Sequence, residues 1–206
     1  MGESKVDFKK TLPSYAAKHG KFEFVTIPKM RYLMVDGTGD PNTSPAFAQA
    51  IEQLYPIAYA LKFFSKDVLD RDYVVPPLEA LWRAENMDAF VRREKSKWSW
   101  TLLLMVPDWL TDEHFALALH KVESKTGKQA TANVRFTSLE EGLCVQTLHI
   151  GSFDDEGPVL KEIHERTIPE AGFTMTGEHH EIYLSDFRKV APDKLRTILR
   201  QPVKKL

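Results

Sequence analysis

With 206 residues, 43% of them hydrophobic and 28% charged, the chain has the composition of a soluble globular protein with one substantial core, which excludes a disordered or fibrous class. A formal charge of -1 supplies no overall positive field to hold nucleic acid or an anionic membrane. A single cysteine, Cys144, excludes an internal disulfide and points to a reducing, cytoplasmic setting.

In chain order, residues 1–21 read as a polar arm. Residues 1–10 lack the apolar core of a secretory signal, and Val6 stands where a myristoylation signal needs Ser or Thr. The arm is too short for a helix-turn-helix module, so no DNA-binding domain and no direct nucleic-acid contact are expected. Residues 22–35 read as a strand, closed by the breakers Asp36-Gly37-Thr38-Gly39-Asp40-Pro41. Ser44 and Pro45 then start a helix whose apolar face is Phe47, Ile51, Leu54, Ala58 and Leu61, and Pro56 should kink or split it. Residues 73–83 and 97–106 read as strands joined by a polar stretch over 84–95. The longest apolar run, 100–106, is far too short to cross a bilayer.

A second helix is bounded by Thr111 and Gly127, with Phe115, Leu119 and Val122 inward. Residues 133–139 and 143–153 alternate as a hairpin over Glu140-Glu141-Gly142. Residues 158–165 read as a helix with Val159, Leu160 and Ile163 inward. Residues 173–184 and 194–203 supply the last two strands, although 194–200 also fits a short helix.

The two halves repeat one order: strand, acidic break, helix, strand, strand. Repeat one spans about 22–108, a connecting helix about 111–127 and repeat two about 133–206, together one domain over 22–206. One such unit cannot cover its own small sheet, so the two should pack about a pseudo-twofold axis with a seam suited to a ligand.

Two strings carry a family resemblance. Residues 73–82, Tyr-Val-Val-Pro-Pro-Leu-Glu-Ala-Leu-Trp, resemble the "PLEGLWW" signature of stand-alone GyrI-like proteins, and residues 179–186, His-His-Glu-Ile-Tyr-Leu-Ser-Asp, resemble their "HHEIYLSD" signature. Residues 36–42 and 191–202 also resemble family segments, so the likeness covers nearly the whole chain. Ala80 replaces the usual Gly, and Arg83 replaces the second Trp.

The resemblance implies an α+β fold of two strand-helix-strand-strand repeats related by a pseudo-twofold axis. Its antiparallel sheets carry helices on one side and enclose a central, aromatic-lined pocket with a buried carboxylate. In regulatory relatives this domain binds effectors; stand-alone relatives are similar to cyclopropanoid cyclopropyl hydrolases, which open the strained ring of DNA-alkylating natural products.

The chemistry follows strand parity, since alternate side chains share a face. His179, Glu181 and Tyr183 point one way, and His180 and Ile182 the other. Trp98 shares a face with Trp100. Glu79 and Trp82 cannot both face one cavity without a bulge at Pro76-Pro77, so they stand as alternatives.

Glu181 and Tyr183 are therefore the candidate catalytic pair, with Trp82, Trp98, Trp100, Glu79 and His179 as candidate ligand contacts. For an activated cyclopropane, Glu181 would orient or deprotonate a water while Tyr183 donates to the oxygen where negative charge develops. No cofactor and no metal are needed, and His179-His180 diverge with no third ligand at a familiar spacing.

Bland readings stand beside these. Each Trp is as much a core filler as a platform, and Glu181 taken alone reads more readily as a solvent-facing or salt-bridged strand residue than as a functional one. Cys144 reads as a buried inert thiol, Asp36-Gly37-Thr38-Gly39 as a turn, and the basic residues Lys194, Arg196, Arg200, Lys204 and Lys205 as a solvated edge.

Three functions remain in view. One is a hydrolase of cyclopropanoid or similar toxic hydrophobic compounds. The second is a non-catalytic binder or sensor of aromatic or cationic drugs, and the third is a protein-interaction module of gyrase-inhibitor type. The sequence leaves the oligomeric state open.

Overall fold

The computed structural model describes residues 5–84, 95–127 and 131–206, so the polar connection read over 84–95 lies almost wholly outside the described residues. Strands are β1 (Glu23–Ile27), β2 (Met30–Thr38), β3 (Leu78–Ala84), β4 (Trp98–Val106), β5 (Arg135–Leu139), β6 (Gly142–Ile150), β7 (Phe173–Met175), β8 (His179–Tyr183) and β9 (Arg196–Lys205). Helices are α1 (Phe8–Thr11), α2 (Pro45–Val68), α3 (Asp112–Thr126), α4 (Gly157–Lys161) and α5 (Ile168–Glu170), the last two joined by a π-helical stretch, Glu162–Thr167. The class is α+β with antiparallel sheet pairing. No helix among the described residues is long and apolar enough to cross a membrane.

The chain forms two compact units, each assembled from separate stretches: Met1–Thr11, Met30–Pro76 and Trp82–Leu139 in the first, and Leu12–Lys29, Pro77–Leu81 and Glu140–Leu206 in the second. In the first unit β2 lies between β4 and β5, with Leu33 opposite both Leu104 and Phe136. Helix α2 packs on β2, β4 and α3. It starts at Pro45, as the sequence predicts, but the Ser44 side chain makes no capping bond. Its buried face takes Phe47, Leu54, Ala58 and Leu61 from the periodic pattern and adds Ala50 and Ile57, while Ile51 is only half-buried. Pro56 does not split this helix; it sits on the exposed face, where water can serve the carbonyl freed by its missing N–H.

In the second unit the strand order is β1-β6-β9-β8, continued by residues 78–81 of β3, and β7 pairs separately with β9. A core of Val145, Ile163, Ile168, Leu199 and Val203 covers one face, with Val159 and Leu160 packed against it as the periodicity predicts. Ile163 and Ile168 are five residues apart, a step that returns to the same face because the helix widens by one residue between them.

Four sequence expectations are corrected. The strand read over 22–35 is two strands, because Pro28 interrupts the ladder; β1 joins the second unit and β2 the first. The 133–153 hairpin does not form: β5 pairs with β2, and β6 lies between β1 and β9. The strand read over 173–184 is broken at Gly177, whose φ of 60 is left-handed, and its two parts pair with different stretches of β9. The 1–21 arm is folded where described: Val6 bridges to Tyr73, His19 bridges to Leu148, and Ser14 and Tyr15 are buried.

Candidate functional site

Strand β8 carries the carboxylate singled out above. Its register with β9 sets Glu181 opposite Leu199 and Tyr183 opposite Thr197, so β8 is fixed along its length by backbone pairing. Parity then holds as expected. On one face Tyr183 Oη donates to Glu181 Oε2 at 2.7 Å, and His179 Nε2 lies 3.5 Å from Glu181 Oε1. The Glu181 side chain keeps 12% of its exposure and that of His179 10%, so this is a mostly dehydrated carboxylate that solvent still reaches.

Two phenylalanines that sequence reasoning missed complete this face. The Phe153 ring stands edge-on to Tyr183 at 5.5 Å, and Phe187 lies 6.4 Å from Tyr183 and 6.2 Å from Phe153. Phe153 is delivered by a tight turn after β6. Phe187 comes from the turn after β8, which Arg188 clamps through two bonds to the Asp186 carboxylate at 2.9 and 3.0 Å. Their only sequence signal was an aromatic beside an acidic break, which carries no direction. His164, from the π-helical stretch, meets His179 edge-on at 6.2 Å.

The opposite face of β8 is a closed ionic network. His180, fully buried, contacts Glu79 Oε2 and Glu141 Oε1, each at 2.9 Å. Glu141 Oε2 accepts from Arg200 at 2.8 Å, and Arg200 also donates to Gln146 and to the Ser14 carbonyl. Tyr15 Oη donates to Glu79 Oε1 at 2.6 Å.

Two carboxylates, one imidazolium and one guanidinium balance to zero, which is what makes such burial tolerable. Burial works against the charge on His180, but Glu141 and Glu79 outweigh it and push the imidazole up to about 9. Burial likewise opposes the Glu141 charge, and His180 and Arg200 outweigh it, holding the carboxyl at about 2.

The remaining candidates fall as follows. Glu79 is wholly buried in the ionic network, on the face opposite Glu181, and is taken up by Tyr15 and His180. Trp82 belongs to the first unit, where it stacks on Phe47 at 6.2 Å and meets Trp98 edge-on at 5.5 Å. Trp100 is fully buried, edge-on to Phe47, with its ring over Gly37 and its Nε1 donating to Gly39 O at 3.3 Å.

Arg200, read as part of a solvated edge, is 1% exposed; its neighbours Ile198, Leu199, Gln201 and Pro202 are buried with it, and the acids that satisfy it come from distant sequence. Cys144 is buried, and burial pushes its thiol up to about 12, so it stays protonated near neutrality. No cluster of His, Cys, Asp or Glu able to hold a metal ion occurs among the described residues.

A family model for the GyrI-like small molecule binding domain matches residues 20–204. The crystal structure of an uncharacterized conserved protein from Listeria innocua is 40% identical, with a TM-score of 0.88 over 97% of this chain and 100% of that one. That of a hydrolase from Listeria innocua is 38% identical, with a TM-score of 0.84 over the same shares. The C-terminal domain of EcmrR is 13% identical, with a TM-score of 0.57 over 90% of this chain and 98% of that one, a likeness of fold alone. No curated protein matches the chain.

Proposed function

The chain belongs to the family of GyrI-like small molecule binding domains, and we propose that its ligand is a hydrophobic aromatic or cationic compound held at Glu181 and Tyr183 and hydrolysed there. The observation that carries this reading is the Tyr183-to-Glu181 hydrogen bond at 2.7 Å on a ring-lined face that still meets solvent. A carboxylate at such a place attracts a cation and, with a water between it and the ligand, accepts that water's proton. Phe153 and Phe187 offer faces and edges for a flat ring system.

For a cyclopropane conjugated to a dienone, water attacks the strained carbon as its proton passes to Glu181. The carbon–carbon bond breaks, and its electron pair runs into the ring to leave a phenolate. Once Glu181 is protonated it no longer needs the Tyr183 O–H, which turns to donate to the oxygen where that charge appears, and the proton held by Glu181 is returned through solvent. The description of the 38% identical Listeria innocua protein as a hydrolase favours turnover over binding alone. In a reducing cytoplasm such a reaction would protect the cell from alkylating compounds.

The test is turnover of a spirocyclopropyl-cyclohexadienone, followed by loss of dienone absorbance. Glu181→Gln keeps the shape of the site and is expected to lower kcat by on the order of 10²- to 10⁴-fold. Turnover unchanged in that variant overturns the reading. Tight binding with no turnover in the unaltered chain leaves a binder of the same ligand class.

A further inference from the structure

Beside the Glu181 carboxylate stands an imidazole that the proposed chemistry does not use. His179 is nine-tenths buried, and neither of its ring nitrogens has a hydrogen-bond partner among the described residues. Keeping an imidazole dry with both nitrogens unmatched is costly, and a purely space-filling position would take a phenylalanine or leucine instead. What the ring does touch is functional: its Nε2 faces Glu181 Oε1, while Tyr183 holds Oε2 from the other side. Behind it lies His164, set on the flank of the core by the π-helical stretch.

We propose that His179 is a positioning residue that fixes the Glu181 carboxylate from its Oε1 side, so that His179, Glu181 and Tyr183 act as one aligned row with His164 as its backstop. The inference rests on the reading of Glu181 as the reacting group.

The groups that bear on His179 come from three elements. Glu181 and Tyr183 lie on its own strand, His164 stands on the π-helical stretch, and Gln201 on β9 acts on His164 by raising its pKa. His164 does not compete for the carboxylate. Burial, and next the proximity of His179, push it down to about 4, so near neutrality it is an uncharged ring that limits His179's room to turn. With one oxygen held by a phenol and the other flanked by an imidazole 3.5 Å away, the carboxylate has little room to rotate, and a water or cation meets it in one orientation. A group held in this way is how a site on a strand keeps its geometry between turnovers.

The experiment compares two replacements at one position, assayed with the same spirocyclopropyl-cyclohexadienone, and adds an NMR measurement that needs no substrate. His179→Phe preserves ring packing but removes both nitrogens; kcat should fall on the order of 10²-fold, with KM little changed, as when a catalytic group is misplaced by about 1 Å. His179→Gln returns an amide N–H near the Nε2 position and should restore the rate to within about fivefold of the unaltered chain, a rescue that a packing role does not predict. In the 15N spectrum, the imidazole signals of His179 should move in Glu181→Gln.

Full activity in the Phe variant, or failure of the Gln variant to recover, overturns the inference. So do His179 signals that ignore Glu181→Gln. If those signals do move while Glu181→Gln keeps full turnover, the contact stands and the proposed function falls.

Discussion

Trp100 and Gly37 lie directly opposite each other on paired strands, and each explains the other. A β-carbon at position 37 would fall within the Trp100 ring, so only glycine lets the indole lie flat on the backbone. Gly37→Ala is therefore expected to cost about 1–3 kcal/mol, the usual range for overpacking, and to lower Tm by roughly 2–4 °C for each of those kcal/mol in a chain of this size. A thermal unfolding scan decides it, and an unchanged Tm would mean the ring can slide aside. The same pair shows how much parity told and where it stopped. It correctly grouped Trp98 with Trp100 and Glu181 with Tyr183, but it could not tell that Trp100 would be sealed against a glycine while Glu181 stayed within reach of solvent.

At the scale of elements, boundaries were legible wherever a local rule sufficed. Helix α3 begins at Thr111, whose hydroxyl accepts from the His114 N–H at 3.4 Å, while His114 Nδ1 accepts from the Thr111 N–H at 3.2 Å. This is a capping box with histidine in the place of glutamate. Both bonds are long, so Thr111→Ala should cost about 0.5–1 kcal/mol, the lower half of the range for lost caps, measured by urea unfolding. Gly127 closes the same helix as its Cα moves to a φ of 86. Breaks inside strands were less visible. Pro28 and Gly177 each divide what alternation alone reads as one strand, because hydrophobic periodicity continues through a residue that the hydrogen-bond ladder cannot. The π-helical stretch had no signal except the five-residue step from Ile163 to Ile168, and that step has meaning only once a core exists for both.

For the molecule as a whole, the most consequential assembly is the ionic network of the second unit, which ties Ser14 and Tyr15 to Glu79, Glu141, Gln146, His180 and Arg200. It gathers polar groups up to 186 positions apart onto the reverse side of the strand that carries Glu181. Its pH dependence has a definite sign on each side. His180, raised from 6.5 to about 9, contributes stability that is complete below 6.5 and lost as pH climbs through 9. Glu141, lowered from 4.5 to about 2, contributes stability that is complete above 4.5 and lost as pH drops toward 2. Their joint contribution is therefore greatest between 4.5 and 6.5. Removing one member while leaving the others buried, as in Glu141→Gln, should cost about 3–5 kcal/mol and remove the acid limb of that profile. Denaturant midpoints measured from pH 3 to 10 check both statements; a midpoint in Glu141→Gln equal to that of the unaltered chain would show that the network is not stabilising.

The sequence by itself determined the fold class, most of the helices and strands, the face that Glu181 and Tyr183 share, and, through two strings of residues, the family. These depend on near-neighbour physics: the period of a strand, the cap of a helix, the composition of a globular chain. Only the tertiary structure decided that β1 and residues 77–81 join the C-terminal half, that Arg200 is buried rather than solvated, and that Phe153, Phe187 and His164 stand around the Glu181 face. A charge on a strand is exposed or buried according to whether an opposite charge arrives from elsewhere in the chain. That arrival is a property of packing, which no local spacing records.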